Sequence, residues 1–179
     1  MKDWNVVVSI YQDGFRRALR ALEKLGPVET SPYYNVLAMK VGDPVALLDG
    51  VEQQTEQSPA LYDAISRIAP ALCAFEFHSA EEFQEKARDR LIEWVPRLAG
   101  RSFHVRFHRR GTRHDLATQE VEHLLDNVLL DALKKAGTPG TISFTDPDAV
   151  IAIDTIDDRA GLAIWTREDL ARHRLLRPD

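Results

Sequence analysis

A single cysteine, Cys73, is all the thiol chemistry in these 179 residues. That excludes an internal disulfide and any site needing two thiolates from one chain. Cys73 sits within Ala71-Leu72-Cys73-Ala74-Phe75, the setting of a small buried hydrophobe rather than a nucleophile. No apolar run approaches the length of a membrane span. Met1-Lys2-Asp3-Trp4 is not an apolar signal segment, so a cytoplasmic protein is expected. The glycines are too scattered for a phosphate-cradling loop, and no nucleophile elbow appears. Acids are missing from one place in particular: Arg101 to His114 contains no Asp or Glu, and Asp115 is the first to follow.

What is there follows from that last absence. The stretch holds Arg101, Arg106, Arg109, Arg110 and Arg113, a charge of +5. The net charge is -5, so the remainder of the chain carries -5 - 5 = -10. A cationic region is thus set into an acidic body, and distribution matters more than the total. Phe103, Val105 and Phe107 alternate with His104, Arg106 and His108, the period of a half-buried strand. Cations held side by side repel and need an anion. Phosphate is one answer, and pairing with the chain's own carboxylates is the other. His104 and His108 lie roughly 13 Å apart on such a strand, too far for one metal ion, so no metal site is expected. Asp146 and Asp148 flank a proline turn, and Asp154, Asp157 and Asp158 read as a solvated hairpin turn rather than a cation site. No catalytic residue and no cofactor is expected.

The 44% hydrophobic and 28% charged content suits a globular α+β protein. Trp4–Ile10 reads as a strand, and Asp13 as the cap of a helix with Phe15, Ala18, Leu19, Leu22 and Leu25 inward and Arg16, Arg17, Arg20 and Lys24 off that face. Short strands at residues 27–30 and 34–41 follow. Asp43-Pro44 opens a further helix. A polar connector at 53–58, a helical piece at 61–68 and a buried strand at 69–77 complete a β-α-β-β-α-β order, close to a ferredoxin-like unit. Ser79-Ala80-Glu81-Glu82 is a capping box for a helix that Pro96 kinks. After the cationic strand, Asp115 is placed to cap the longest helix, with Val121, Leu124, Leu125, Val128, Ala132 and Leu133 on one side. Strands at 141–145, 149–155 and 161–165 and a short helix from Arg167 to His173 end the chain. Two domains are expected, residues 1–77 and 78–179.

The second half resembles a THUMP domain, the RNA-binding module of tRNA-modifying enzymes and their helpers. Ser102-Phe103-His104-Val105-Arg106-Phe107-His108-Arg109 is similar to the family's Phe-x-Val-Arg-x-x-Arg signature. An amphipathic helix follows. Thr145-Asp146-Pro147-Asp148 before an apolar strand resembles the family's Asn-Pro-Asp/Glu turn, with Asp146 in place of Asn. The first half resembles the ferredoxin-like domain that often precedes THUMP. The resemblance implies tRNA binding at the acceptor stem or by overall shape. It implies no catalysis, and a separate tRNA-modifying enzyme as partner, such as a cytidine acetyltransferase. Arg106 and Arg109 match the signature directly. Arg101, Arg110 and Arg113 extend the expected RNA-binding set by charge, and His104 and His108 by position on the basic face. A protein-interaction module, or an effector-binding ferredoxin-like dimer, remains as the alternative.

Overall fold

The structure, a computed structural model, describes residues 2–111 and 114–178. It is an α+β protein with two sheets, and the chain divides into two compact units, residues 1–72 with 173–177 and residues 73–172 with 178–179.

In the first unit, β1 (Val6–Ile10) is a β-branched run flanked on both sides. β3 (Val36–Met39) and β4 (Ile65–Pro70) pair with it, both antiparallel. β2 (Val28–Thr30) adds to β3, so the sheet order is β2-β3-β1-β4. With α1 (Phe15–Leu22) and α2 (Ala46–Gln57) between strands, this is the β-α-β-β-α-β order of a ferredoxin-like unit. Asp43 caps α2 as expected, its Oδ1 accepting from Val45 N at 2.9 Å and Ala46 N at 3.0 Å. Asp13 caps nothing; Gly14 takes the N-cap position without a side-chain bond.

Three expectations fail here. Residues 53–57 belong to α2 rather than a connector. Ile65–Ile68 is strand, not helix, because β1 has a second side whose backbone groups need partners. The apolar run 69–77 is not one strand. It ends β4 at Pro70 and begins β5 (Cys73–Glu76) in the other sheet. Hydrophobicity marks such a run as buried without saying which sheet accepts its hydrogen bonds. Residues 173–177 return to the first unit: Leu175 O accepts from Ile68 N at 2.7 Å, and Leu175 and Leu176 are buried.

The second unit holds a five-stranded sheet in the order β5-β9-β8-β6-β7. β6 (Ser102–His108) runs parallel to β8 (Ala149–Ile156) and to the two-residue β7 (Thr141–Ile142). β9 (Arg159–Thr166) is antiparallel to β8 and β5. A parallel neighbour demands a long crossover, and α4 (Thr118–Lys135) supplies it. α3 (Ala80–Ile92) joins α4 over a core containing Phe83, Leu91, Phe103, Phe107, Leu125 and Leu129. Ser79 Oγ accepts from Glu82 N at 3.0 Å, and Glu82 reaches back to His78 N at 2.8 Å, one residue beyond the usual box. Thr166 and Asp169 form a second reciprocal cap for α5 (Arg167–Arg172), at 2.9 and 3.2 Å. Asp115 does not cap α4, which starts at Thr118 behind Ala117. Its buried stripe is also rotated: Leu129 faces in, Leu124 is exposed, and Asp126 is buried.

Candidate nucleic-acid interface

The alternation in β6 is real, and its consequences differ by residue. Phe103, Val105 and Phe107 enter the core. His104 is itself buried, at 2% exposure. Its Nδ1 lies 2.7 Å from Ser143 O, and its ring lies 5.3 Å from that of the exposed Phe144. His108 Nε2 lies 2.8 Å from Pro178 O. Arg106 is half-buried. Arg110 Nη1 sits 2.8 Å from Asp154 Oδ1, with side chains only 15% and 5% exposed. This is a buried ion pair rather than a free cation. Arg109 is exposed, with Nη1 donating to Leu116 O at 2.8 Å. Arg101 is exposed just before the strand. Arg113 lies outside the described residues.

The cations are therefore not gathered at one edge. Arg101 precedes β6 and Arg109 follows it, roughly 26 Å away at ~3.3 Å per residue. Of the two answers to cation repulsion, Arg110 takes the internal one. Its partner Asp154 comes from β8, 44 residues along the chain. Asp154 is thus no part of a solvated turn. Asp157 forms the β8–β9 turn at φ 50, and Asp158 lies 2.9 Å from His114 Nε2.

Two carboxylates on α4 explain how β6 is held. β7 pairs only with Ser102 and Phe103, and among the described residues the rest of that edge of β6 has no strand beside it. Val105 N donates to Asp126 Oδ1 and Phe107 N to Glu122 Oε1, each at 2.8 Å. Four residues of helix rise ~6 Å and two residues of strand ~6.6 Å, so the two acids keep step with alternate N–H groups and stand in for a missing strand. Burial pushes the Asp126 carboxyl from 3.8 up to about 6, and Glu122's charge adds to that; the Val105 bond, His123 and Arg106 pull the other way.

The Asp-Pro-Asp turn has an equally local task. Asp148 Oδ2 accepts from Ser102 N at 2.9 Å and Ser102 Oγ at 3.1 Å, and Asp148 N donates to Ser102 Oγ at 3.0 Å. These bonds hold the Asp148 carboxyl below its usual range. Arg167 reaches both Asp146 and Asp148, at 3.0 and 3.3 Å. The motif fixes the start of β6, which gives Asp146 and Asp148 a structural task.

Cys73 is partly buried, and burial pushes its thiol up, away from thiolate chemistry. In the first unit, His173 Nδ1 and carboxylate oxygens of Asp49 and Glu52 lie within 4.8 Å of one another. Among the described residues this is the group able to hold a divalent cation. The 2.7 Å His173–Glu52 contact is also an ordinary hydrogen bond anchoring the returning segment. A cluster that sequence reasoning underrated lies on α1 and the turn after it, where Arg16, Arg17, Arg20 and Lys24 are all exposed. Their placement off the apolar face of Ala18 and Leu22 was visible in the sequence.

No family model matches the chain. It is similar to the tRNA sulfurtransferase of Citrobacter koseri, 29% identical over 130 residues, which cover 64% of this chain and 25% of that protein. The chain thus spans about a quarter of the length of the curated relative it matches. Among solved structures it resembles PH1313 of Pyrococcus horikoshii (TM-score 0.58, 16% identity, 89% of this chain and 53% of that one). It also resembles a 4-thiouridine synthetase captured with RNA and ATP (TM-score 0.56, 15% identity, 90% of this chain and 41% of that one). The fold is THUMP-like. These matches overturn the expectation that the chain is not an enzyme, because the named proteins it resembles are a sulfurtransferase and a synthetase.

Proposed function

We propose that this chain binds tRNA within an enzyme that modifies it, with the THUMP-like unit making part of the contact. The observation carrying this reading is the fold itself. The cationic strand, its crossover helix and the Asp-Pro-Asp turn assemble into one sheet unit, in a chain that aligns over 90% of its length with a synthetase bound to RNA. Exposed Arg101 and Arg109 suit phosphate contact. Duplex RNA is read mostly by shape and backbone, so base-reading groups are not required. Sulfur transfer is the modification the sequence match favours, over the acetylation suggested by the resemblance to acetyltransferase helpers.

The test is fluorescence anisotropy with labelled tRNA across a salt series. Binding tightens as salt falls, and Arg109→Glu weakens it. Binding no tighter than to a single-stranded oligonucleotide of equal length, or an Arg109→Glu variant identical to wild type, refutes the assignment.

A further inference from the structure

α2 carries Asp49 and Glu52 three residues apart, so both side chains leave the helix on one side. Leu47, Leu48, Val51 and Thr55 bury the adjoining side and fix that orientation. Residues 173–177, which belong to the same unit, bring His173 to meet the two acids. His173 Nδ1 lies 2.7 Å from Glu52 Oε1. That nitrogen and one oxygen of each acid all lie within 4.8 Å of one another. The imidazole is 7% exposed, whereas Glu52 is half-buried and Asp49 exposed. The group therefore has a buried, fixed side and a mouth open to solvent. Leu175 and Leu176 are buried, Ile68 N donates to Leu175 O at 2.7 Å, and Leu176 N donates to His173 O at 3.1 Å. The ring is thus held in place by its own segment, and not by the acids alone.

We propose that Asp49, Glu52 and His173 form a site for a zinc-class divalent cation, which clips the returning segment onto the first unit. A hydrogen bond from Nδ1 uses one of the two carboxylates. A divalent ion uses both, and its charge cancels theirs. The ion takes the place of the proton between Nδ1 and Glu52, and the neutral ring keeps its proton on Nε2. One imidazole nitrogen with two carboxylate oxygens is a donor set for zinc, cobalt or nickel. Magnesium and calcium take oxygen donors instead. Ligands ~2.1 Å from a tetrahedral ion stand about 3.4 Å from one another. The 2.7 Å Nδ1–Oε1 pair must open a little to admit it, which the half-buried Glu52 side chain allows. Three protein ligands leave a fourth position for water. Glu52 and His173 are 121 positions apart, so the ion closes a long loop, the case in which a clip gains most. Its binding free energy is then folding free energy. The site and the tRNA reading are independent, and neither needs the other.

The test titrates the full chain, stripped with EDTA and dialysed, with cobalt(II) and then with zinc(II). Cobalt should give the visible absorption of a four-coordinate centre, and stoichiometric zinc should abolish it. Magnesium should leave it unchanged. Zinc at about a hundredfold excess over its dissociation constant should raise the melting temperature by at least about 5 °C. Losing a group that only orients a ligand costs about 10–100-fold in metal affinity. Asp49→Ala removes a ligand itself and should weaken zinc binding at least about a hundredfold. Asp49 is exposed, so this variant keeps the fold even where one at the buried His173 does not. Zinc should also slow hydrogen exchange at the Ile68 amide, whose acceptor Leu175 lies in the clipped segment. A featureless cobalt titration, or wild-type zinc affinity in folded Asp49→Ala, overturns the site. Zinc bound there with Ile68 exchange unaltered overturns the clip. Calcium or magnesium bound more tightly than zinc overturns the class of metal.

Discussion

Replacing Asp126 with Asn should change how stability depends on pH, and the size follows from where Asp126 sits. Its carboxylate is 5% exposed and accepts Val105 N at 2.8 Å. Burial raises it from 3.8 to about 6. A carboxyl whose folded value lies above its unfolded value contributes stability that is fully present below the unfolded value and lost as pH climbs through the folded one. The window is therefore from 3.8 to about 6. At about 1.4 kcal/mol per pH unit, the loss across it is about 3 kcal/mol. Asparagine keeps an acceptor for Val105 and never ionises. The stability difference between the two proteins should then shift by about 3 kcal/mol in favour of Asp126→Asn between about pH 3 and about pH 8. Any constant cost of the amide cancels in that difference. Urea unfolding reads it as a relative midpoint change of about 1.5 M, for a slope of about 2 kcal/mol/M. Parallel pH profiles for the two proteins would refute the argument that burial controls this carboxyl.

Two further substitutions probe the frame. Arg110→Met removes the 2.8 Å ion pair of the buried Asp154 and should cost about 3 kcal/mol; adding Asp154→Leu should recover part of it. Urea midpoints decide the matter, and a single-variant loss under about 1 kcal/mol would show an exposed pair. Gly14→Ala would place a methyl 2.4 Å from Ala64 Cα and 2.5 Å from its carbonyl oxygen. Both are backbone atoms that cannot step aside. A loss of about 3 kcal/mol is expected in the first unit, and a loss within about 0.5 kcal/mol would mean that β4 and α1 can part freely.

Much of the architecture was written along the chain because it rests on local periods and caps. The alternation in β6, the Ser79 cap, the Asp43 cap and the β-α-β-β-α order ahead of β4 all depend on neighbours within a few residues. The cationic strand was recognisable for the same reason. Its fate was not, because the anion that answers Arg110 lies 44 residues away on a strand brought alongside by a crossover. Asp126 was likewise invisible as a buried acceptor. Only the two-residue length of β7 leaves Val105 N in need of it.

The sequence by itself determined that guanidinium groups are concentrated and that two α+β units follow one another. Tertiary structure alone decided which of those charges stay available. Repulsion between like charges is settled by whatever carboxylate the fold brings near. It brought Asp154 within 2.8 Å of Arg110 and, among the described residues, no ion-pairing carboxylate to Arg16, Arg17 or Arg20 on α1.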